Sequence, residues 1–204
     1  MVSRDEDHPL PEEVKHTPAL TFPSDFMIKK ILLALLALIV VFVIVVTLQP
    51  AEFSIARSTT IAAPPAAVFP HVNDLHQWEK WSPWEKIDPT MKRTFEGPAT
   101  GTGSSYIWAG NDEIGEGRMT ITESRPDEHV RIKLEFLKPF VATNDVIFSF
   151  KLDGSQTLVT WQMSGRNNWF FKAINLVMNM DKMCGDQFEQ GLAQLKSITE
   201  TKVQ

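Results

Sequence analysis

The sequence predicts an α+β protein, in which a curved antiparallel sheet of about seven strands wraps on a long C-terminal helix and one transmembrane helix precedes both. Three observations predict this class. An uninterrupted apolar run lies near the N-terminus, short segments with alternating apolar side chains follow it, and apolar side chains then recur every three or four positions up to the C-terminus. The first pattern is typical of a membrane span, the second of strands and the third of an amphipathic helix.

The composition limits the classes of partner and site. The chain has 204 residues and a net charge of −5, without the clustered Lys and Arg that binding to phosphates requires, so we predict no nucleic-acid partner. Cys184 is the only cysteine, which rules out an internal disulfide. Because no Cys and His cluster has metal-ligand spacing, we predict no metal and no cofactor.

Residues 1–26 predict a disordered acidic N-terminal tail. They are rich in proline and acidic side chains and show no apolar period, a composition that cannot bury a core. Met27-Ile-Lys-Lys leads directly into the apolar run, so the alternative that translation starts at Met27 stays open. The intact mass of the native protein distinguishes a chain with the tail from a chain that begins at Met27.

Residues 27–49 predict a transmembrane signal-anchor helix. The run at 31–48 has only Thr47 as a polar member, and its length of about 27 Å matches the hydrocarbon thickness of a bilayer. It lacks the polar stripe of a buried core helix. The exit sequence Leu48-Gln49-Pro50-Ala51-Glu52 is a poor cleavage site, which favours an uncleaved anchor over a signal peptide.

The charges beside this run predict its orientation. Lys15, Lys29 and Lys30 precede the span, whereas only Arg57 follows it closely. Cationic flanks stay in the cytoplasm. We therefore expect a single-pass protein of the inner (plasma) membrane with a cytoplasmic N-terminus and an extracytoplasmic domain at 50–204, which is periplasmic in a bacterium with two membranes.

The domain begins with a strand and a helical segment. Residues 53–61 alternate apolar and polar side chains and predict the first strand, which Ala63-Pro64-Pro65 ends. Residues 66–74 predict a short helix in which Pro70 produces a kink. A tryptophan-rich segment follows, with Trp78, Trp81 and Trp84 spaced three apart.

The rest of the domain predicts a meander and a helix. Six segments separated by turn signals indicate antiparallel strands with one buried face: 91–95, 104–108, 118–123, 130–137, 146–152 and 157–163. Residues 169–198 then predict one long amphipathic helix, because apolar residues such as Ile174, Phe188 and Leu195 recur at helical spacing. Its apolar stripe must cover the buried face of the sheet.

This order of elements and three stretches of sequence resemble the START-like helix-grip superfamily, also called SRPBCC or the polyketide cyclase/dehydrase-like family. The stretches are RSTTIAAPPAAVFPHVNDLHQWEKWSPW at 57–84, MTITESRPDEHVRIKLEF at 119–136 and DKMCGDQFEQGLAQLK at 181–196. The latter two are similar to membrane-anchored bacterial members. The resemblance covers residues 53–199. Pro70 departs from the family pattern, which more often has a helix-compatible residue there.

The resemblance implies a cavity between the sheet and the C-terminal helix that binds an apolar or lipid-like small molecule. The candidate ligand-binding residues are Trp84, Tyr106, Trp108, Phe136, Phe148, Trp161, Met163 and Met178. Cys184 and Gly185 are small residues that could leave room beneath the helix. The alternative is that these side chains simply pack as core, and that the tryptophans of the segment 78–84 plug one end of the sheet.

No constellation of residues identifies a catalytic site, and we predict no catalytic residue. His71 and His76 flank Asp74, but no nucleophile signature accompanies them. Asp145 and Asp181 are carboxylates that could face the cavity. Cys184 fits a packing residue better than a nucleophile, because the sequence shows no cationic neighbour that would lower the pKa of its thiol.

Three functions remain open at this point. The first is a binding module that holds a hydrophobic ligand beside the membrane, and it requires a cavity. The second is a polyketide cyclase/dehydratase-like enzyme, which requires a buried, paired ionisable group such as Asp145, Asp181 or His76 in that cavity. The third is an envelope protein-interaction scaffold, which requires a contiguous exposed apolar patch and no sizeable cavity.

Overall fold

The computed structural model describes residues 25–201 of the chain, so the predicted tail at 1–26 falls almost wholly outside the described residues. A continuous helix, α1, runs over Asp25–Leu48. From Phe26 onward it is long and apolar enough to cross a membrane. The chain divides after Ile44, and the unit that begins at Val45 carries the sheet.

Seven antiparallel strands form one sheet in the order β1-β7-β6-β5-β4-β3-β2. The strands are β1 Glu52–Ile61, β2 Lys92–Glu96, β3 Ser105–Ala109, β4 Glu116–Arg125, β5 His129–Lys138, β6 Ala142–Asp153 and β7 Gln156–Arg166. The last six form the predicted meander, since each one pairs with the next along the chain. The first strand returns to pair with the last, which places β1 and β2 at the two edges.

The alternation of side chains explains why one face of the sheet is buried. Ile55 and Ile61 of β1 and Val130 and Ile132 of β5 are buried, whereas Arg131 between the latter two is exposed. Successive side chains of a strand point to opposite faces, so the buried apolar side chains of β1 share one side of that strand, as do those of β5. This buried face, which holds the core, is the one that the predicted fold requires.

Between β1 and β2 the chain forms helix α2, Pro65–Asn73, and two 3-10 helices, Leu75–Lys80 and Pro83–Lys86. Pro65 begins α2 at a position where a missing N–H costs nothing. Pro70 lies inside the helix, which continues through it to Asn73. The buried side of α2 consists of Val68, Phe69, His71 and Val72.

The prediction of one long C-terminal helix over 169–198 is wrong. The structure has two helices, α3 Trp169–Val177 and α4 Met180–Glu200. Met178 is extended, and the Asn179 side chain accepts a hydrogen bond of 2.9 Å from the backbone N–H of Lys182. Asparagine is a preferred N-cap because it satisfies a free amide at a helix start, and here it begins a new helix inside an unbroken apolar repeat.

Helix α4 lies along the edge strand β1. Lys196 Nζ donates to the Thr60 carbonyl at 2.8 Å, and the Glu200 carboxylate accepts from the Ala62 N–H at 2.7 Å. Arg57 forms ion pairs with Asp181 at 3.0 Å and Glu189 at 2.9 Å. These contacts cover an edge that would otherwise expose unpaired backbone groups, while Phe188, Leu192 and Leu195 enter the core.

Candidate ligand-binding cavity

An apolar cavity of about 170 Å³ lies between the buried face of the sheet and helix α4. Strands β3 to β7, the second 3-10 helix and α4 all contribute side chains to its wall. Six of the eight predicted ligand-binding residues line it: Trp84, Tyr106, Trp108, Phe136, Trp161 and Met163. Their role as ligand contacts stays a prediction, but the fold does bring them together around one space.

Phe148 and Met178 lie elsewhere. Phe148 is fully buried, with its ring 5.7 Å from Trp78, 5.9 Å from Trp81 and 4.7 Å from Trp161, so it packs as core and does not line the cavity. Met178 lies at the break between α3 and α4, where it lines an outer groove. The break, which the apolar repeat conceals, moves this side chain away from the cavity.

The outer groove has a volume of about 650 Å³ and adjoins the cavity, because Phe136, Met163 and Cys184 line both. Its wall contains α3, the start of α4, and the ends of β1, β5, β6 and β7 that lie near them. Polar side chains are more frequent here than in the cavity, among them Arg166 and Asn144. A molecule that enters the cavity from this groove therefore passes from a partly polar to an apolar environment.

The three tryptophans of the 3-10 segment have different roles. Trp81 Nε1 donates to the His71 carbonyl at 2.9 Å and Trp78 Nε1 to the Val72 carbonyl at 3.0 Å, so both buried indoles fasten the segment to α2. Trp84 is half-buried and packs edge-on against Trp161, with the ring centroids 5.5 Å apart. Trp81 packs in the core, Trp84 lines the cavity, and Trp78 does both.

Two glycines of α4 let other groups approach the helix. A Cβ at Gly191 would lie 2.8 Å from Trp161 Cζ3 and 3.1 Å from Pro83 Cδ, so the missing side chain allows the indole to pack against the helix backbone. At Gly185 the space is filled by the Arg57 guanidinium. The expectation that Gly185 leaves room for a ligand is therefore wrong, because an ion-pairing side chain of β1 occupies that room.

Trp161 contributes a buried indole to the cavity wall. Its ring stacks on Phe188, with centroids 4.3 Å apart and planes inclined by 7°. The Nε1 group is buried and has no hydrogen-bond partner within residues 25–201. A buried N–H without a partner is costly, so a ligand with a hydrogen-bond acceptor would satisfy a donor that the folded chain leaves open.

A buried carboxylate next to the cavity escaped the sequence analysis. The Tyr106 hydroxyl donates to Glu85 Oε1 at 2.7 Å, and Arg93 Nε donates to Glu85 Oε2 at 2.8 Å. Both Glu85 and Tyr106 line the cavity. Burial, and after it the hydrogen bond to Glu85, raises the pKa of Tyr106, so its hydroxyl keeps its proton and remains a donor. The sequence signal was weak, because the three residues lie on separate elements.

The carboxylates and the histidine that the enzyme alternative would require in the cavity lie outside it. His76 Nδ1 is 3.0 Å from Asp74 Oδ1, but the imidazole is exposed and stacks on Phe95. Asp145 and Asp181 are also exposed, and Asp181 is paired with Arg57. The expectation of a buried ionisable group at His76, Asp145 or Asp181 is therefore wrong, because the buried group is Glu85.

Cys184 and the arrangement of possible metal ligands are the remaining features that bear on chemistry at the cavity. Burial raises the pKa of the Cys184 thiol, which favours the protonated, less nucleophilic form. Over the described range, 25–201, no group of three or more His, Cys, Asp or Glu side chains is arranged to hold a metal ion.

Comparisons with solved structures show the same fold. A protein of Mesorhizobium loti matches with a TM-score of 0.54 and 14% identity, over 73% of this chain and 98% of its own. A protein of Chromobacterium violaceum matches with a TM-score of 0.53 and 14% identity, over 72% and 96%. The Aha1 dimer of Colwellia psychrerythraea gives a TM-score of 0.52 and 16% identity, over 72% and 96%. No curated protein matches the chain significantly by sequence.

The family comparison covers the whole of the sheet and the C-terminal helices. The family model described as polyketide cyclase / dehydrase and lipid transport matches residues 52–200, which include every strand and both C-terminal helices. The seven-stranded sheet, the terminal helix over its buried face and the cavity beneath that helix are the helix-grip arrangement. The chain therefore belongs to the polyketide cyclase / dehydrase and lipid transport family.

Proposed function

We propose that this protein is a membrane-tethered binding module that holds a hydrophobic, lipid-like small molecule between its sheet and helix α4. The observation that supports the proposal is the apolar cavity of about 170 Å³ and its continuation into the groove of about 650 Å³. An apolar cavity of roughly 150 Å³ in a protein core accommodates benzene. The inner cavity therefore accepts a group of about six carbons, and the remainder of a longer ligand occupies the groove.

The wall of this path favours an amphipathic ligand. The inner cavity offers mainly aromatic and aliphatic surface, with the Trp161 N–H as an unpartnered donor. The groove offers Arg166 and the amides of Asn144 and Asn167. Because few polar groups set the orientation of a ligand in an apolar pocket, we expect the apolar end to enter first and the polar end to stay in the groove.

The tether gives this binding module a location. Helix α1 is long and apolar enough to span a bilayer, and Lys29 and Lys30 precede its apolar run. We propose an uncleaved single-pass anchor with its N-terminus in the cytoplasm and the domain outside it. A ligand that is poorly soluble in water would then be bound within a short distance of the membrane.

The experiment is to purify the full chain from its own host in a mild detergent and to analyse the bound molecules by native mass spectrometry. Cys184→Phe places an aromatic ring where cavity and groove meet. Ala193→Phe, at an exposed position of the same helix, is the matched control. We expect a bound hydrophobic compound in the parent and in Ala193→Phe and its loss in Cys184→Phe. An equal amount in all three, or none in the parent, would contradict the proposal.

The buried Glu85 and Tyr106 pair favours a second candidate, an enzyme of the cyclase or dehydratase kind. Glu85 is 8% exposed and faces the cavity, where a carboxylate could accept a proton from a substrate. Glu85→Gln keeps the shape and removes the base. If the protein is an enzyme, this variant retains its unreacted substrate, which differs from the molecule found in the parent in mass after a dehydration and in chromatographic retention after a cyclisation at constant mass. If it is a binding module, the bound molecule has the same mass and retention in both.

A further inference from the structure

A surface of large apolar side chains surrounds the opening of the groove. It consists of two segments, residues 137–141 at the end of β5 and in the turn to β6, and residues 166–178 around α3, which we call the apolar rim. Val177 is 84% exposed and Val141 76%, and α3 buries none of its residues. Water-facing surfaces rarely concentrate exposed apolar side chains in this way unless the patch contacts another molecule.

The two segments form one continuous surface at the groove. The ring centroid of Phe140 lies 5.3 Å from that of Phe170 and 5.8 Å from that of Phe171. Phe140, Phe171 and Val177 also line the groove itself. Whatever covers the apolar rim therefore also faces the entrance through which a ligand reaches the cavity.

The charges of the apolar rim have one sign. Its two segments contain Lys138, Arg166 and Lys172 and no acidic residue, in a chain whose net charge is −5. Lys138 pairs with Glu116 of β4 at 2.7 Å, which leaves Arg166 and Lys172 as the source of net positive charge. Aromatic and aliphatic side chains mixed with a few cations are the composition of helices that lie in the interface of anionic membranes.

Only a short connection separates the end of α1 from the apolar rim. Helix α1 ends at Leu48, and the Asn167 N–H donates to the Ala51 carbonyl at 2.7 Å. The three Cα–Cα steps from Leu48 to Ala51 can span at most about 11 Å. Because α3 begins at Trp169, two positions after Asn167, the apolar rim begins within a short reach of the point where the chain leaves the helix.

We propose that the apolar rim docks on the surface of the lipid bilayer that anchors the chain, so that the groove opens toward lipid and the ligand is taken from the bilayer. This inference rests on the proposed tether. A bilayer explains the apolar side chains, the cations among them and the short connection to α1 together. A partner protein or a second copy of the chain would explain the apolar side chains alone, and both appear as outcomes of the experiment.

The experiment measures the environment of a nitroxide label on the full chain in vesicles of equimolar phosphatidylcholine and phosphatidylglycerol. In a Cys184→Ala background, Val177→Cys carries the label in the rim. Ser155→Cys carries it at the exposed turn between β6 and β7, at the opposite end of those strands, as the control. We expect the label at 177 to collide with oxygen dissolved in lipid and to be protected from a water-soluble nickel chelate. The label at 155 should show the reverse.

Other results at position 177 would overturn the proposal. Equal access of the nickel chelate to both positions means that the rim faces water. Protection of position 177 from oxygen and nickel together means that a protein covers it, and dipolar broadening between labels then identifies a second copy. Extraction with alkaline carbonate tests the tether separately, so that a failed anchor is distinguished from an anchored chain whose rim stays in water.

Charge variants test the role of the cations. Lys172→Gln should shift the ratio of docked to undocked label at 177 by about fivefold, the effect of one cation at an anionic surface. Lys151→Gln removes an exposed cation outside the rim and should leave the ratio unchanged. Vesicles of phosphatidylcholine alone should weaken docking of the parent. If neither Lys172→Gln nor the removal of the anionic lipid changes the ratio of docked to undocked label, membrane docking is contradicted.

Discussion

At the scale of single residues, the polar groups around the cavity decide which ligands and which pH values the fold tolerates. Glu85 is a buried carboxylate, and the hydrogen bonds that Tyr106 and Arg93 donate to its two oxygens offset the free-energy cost of burying it. Removing one donor would leave part of a charge without a partner inside the protein, which costs more than an ordinary hydrogen bond is worth. The Trp161 N–H is the opposite case, because it is a buried donor without an acceptor among residues 25–201.

Tyr106 provides a direct test of this arrangement, because it is the only tyrosine of the chain. Burial raises the pKa of Tyr106, so its hydroxyl favours folding at every pH below about 10, the value in an unfolded chain. That contribution is lost only as the pH rises above this value through the raised pKa. We expect no tyrosinate absorbance from the folded chain at pH about 10, where half of the phenol ionises in urea.

Tyr106→Phe is the companion variant. It should lower the free energy of unfolding at neutral pH by about 2 kcal/mol, because a hydrogen bond to a charged group is lost. It should also lose stability less steeply than the parent above pH about 10, since it has no phenol to ionise. Urea unfolding in a mild detergent, followed by tryptophan fluorescence, measures both. A tyrosinate signal in the folded parent at pH about 10 would show that the hydroxyl is accessible to water.

Asp88 predicts a dependence on acid pH. Hydrogen bonds from the Thr90 hydroxyl and the Asn111 N–H lower the pKa of Asp88. Its contribution to stability is therefore complete above pH about 4, the ordinary range of an aspartate, and disappears as the pH falls through the lowered pKa. Asp88→Asn should be less stable than the parent at neutral pH and should lose less stability on acidification. Asp112→Asn, at an exposed position, is the control.

At the scale of elements, the sequence predicted the strands better than the helices. All seven strands predicted from the sequence are present in the structure, although several extend beyond their predicted ends. The C-terminal region shows why helix prediction failed. The apolar repeat continues across Met178 and Asn179, while the break depends on one cap side chain that competes with helix continuation.

The packing of α4 on the sheet predicts effects of different size at its two glycines. Gly191→Ala places a methyl group against the buried Trp161 ring and Pro83, neither of which can move freely. Overpacking should exceed the gain of about 1 kcal/mol in helix propensity and lower the free energy of unfolding by roughly 1 kcal/mol. At Gly185 the methyl group meets only the flexible end of Arg57.

Gly185→Ala is thus the matched control for this comparison. Loss of the Arg57 ion pairs, which are partly exposed to solvent, should offset the helix gain, leaving a change below about 0.5 kcal/mol. Chemical unfolding of both variants under identical conditions decides between them. Equal destabilisation by the two substitutions would mean that the close approach of Trp161 to the helix does not limit the packing of α4.

At the scale of the whole molecule, five of the six predicted residues that line the cavity share the buried face of the sheet, and Trp84 joins them from the second 3-10 helix. Alternation along the strands defines that face, so the sequence alone was enough to predict these five residues. The sequence could not show that Phe148 packs in the core and does not line the cavity, since this depends on which rings meet across the strands. Nor could it find Glu85, whose partners lie at separations of 8 and 21 residues and meet only after the chain has folded.

The tether is the property of the whole chain that the flanking charges predict most directly. Lys29 and Lys30 should hold the N-terminus in the cytoplasm and place the domain outside it. In spheroplasts, an added protease should therefore degrade the domain while leaving a cytoplasmic marker protein intact. Replacing both lysines by Gln and adding two lysines after Leu48 should reverse the charge bias and protect the domain. The control adds the two lysines within the exposed turn at Ser155, more than a hundred residues away in sequence. It should not protect the domain, because only charges close to a span direct its insertion. Protection of the domain in the parent chain would mean that the binding cavity faces the cytoplasm and draws its ligand from the inner leaflet.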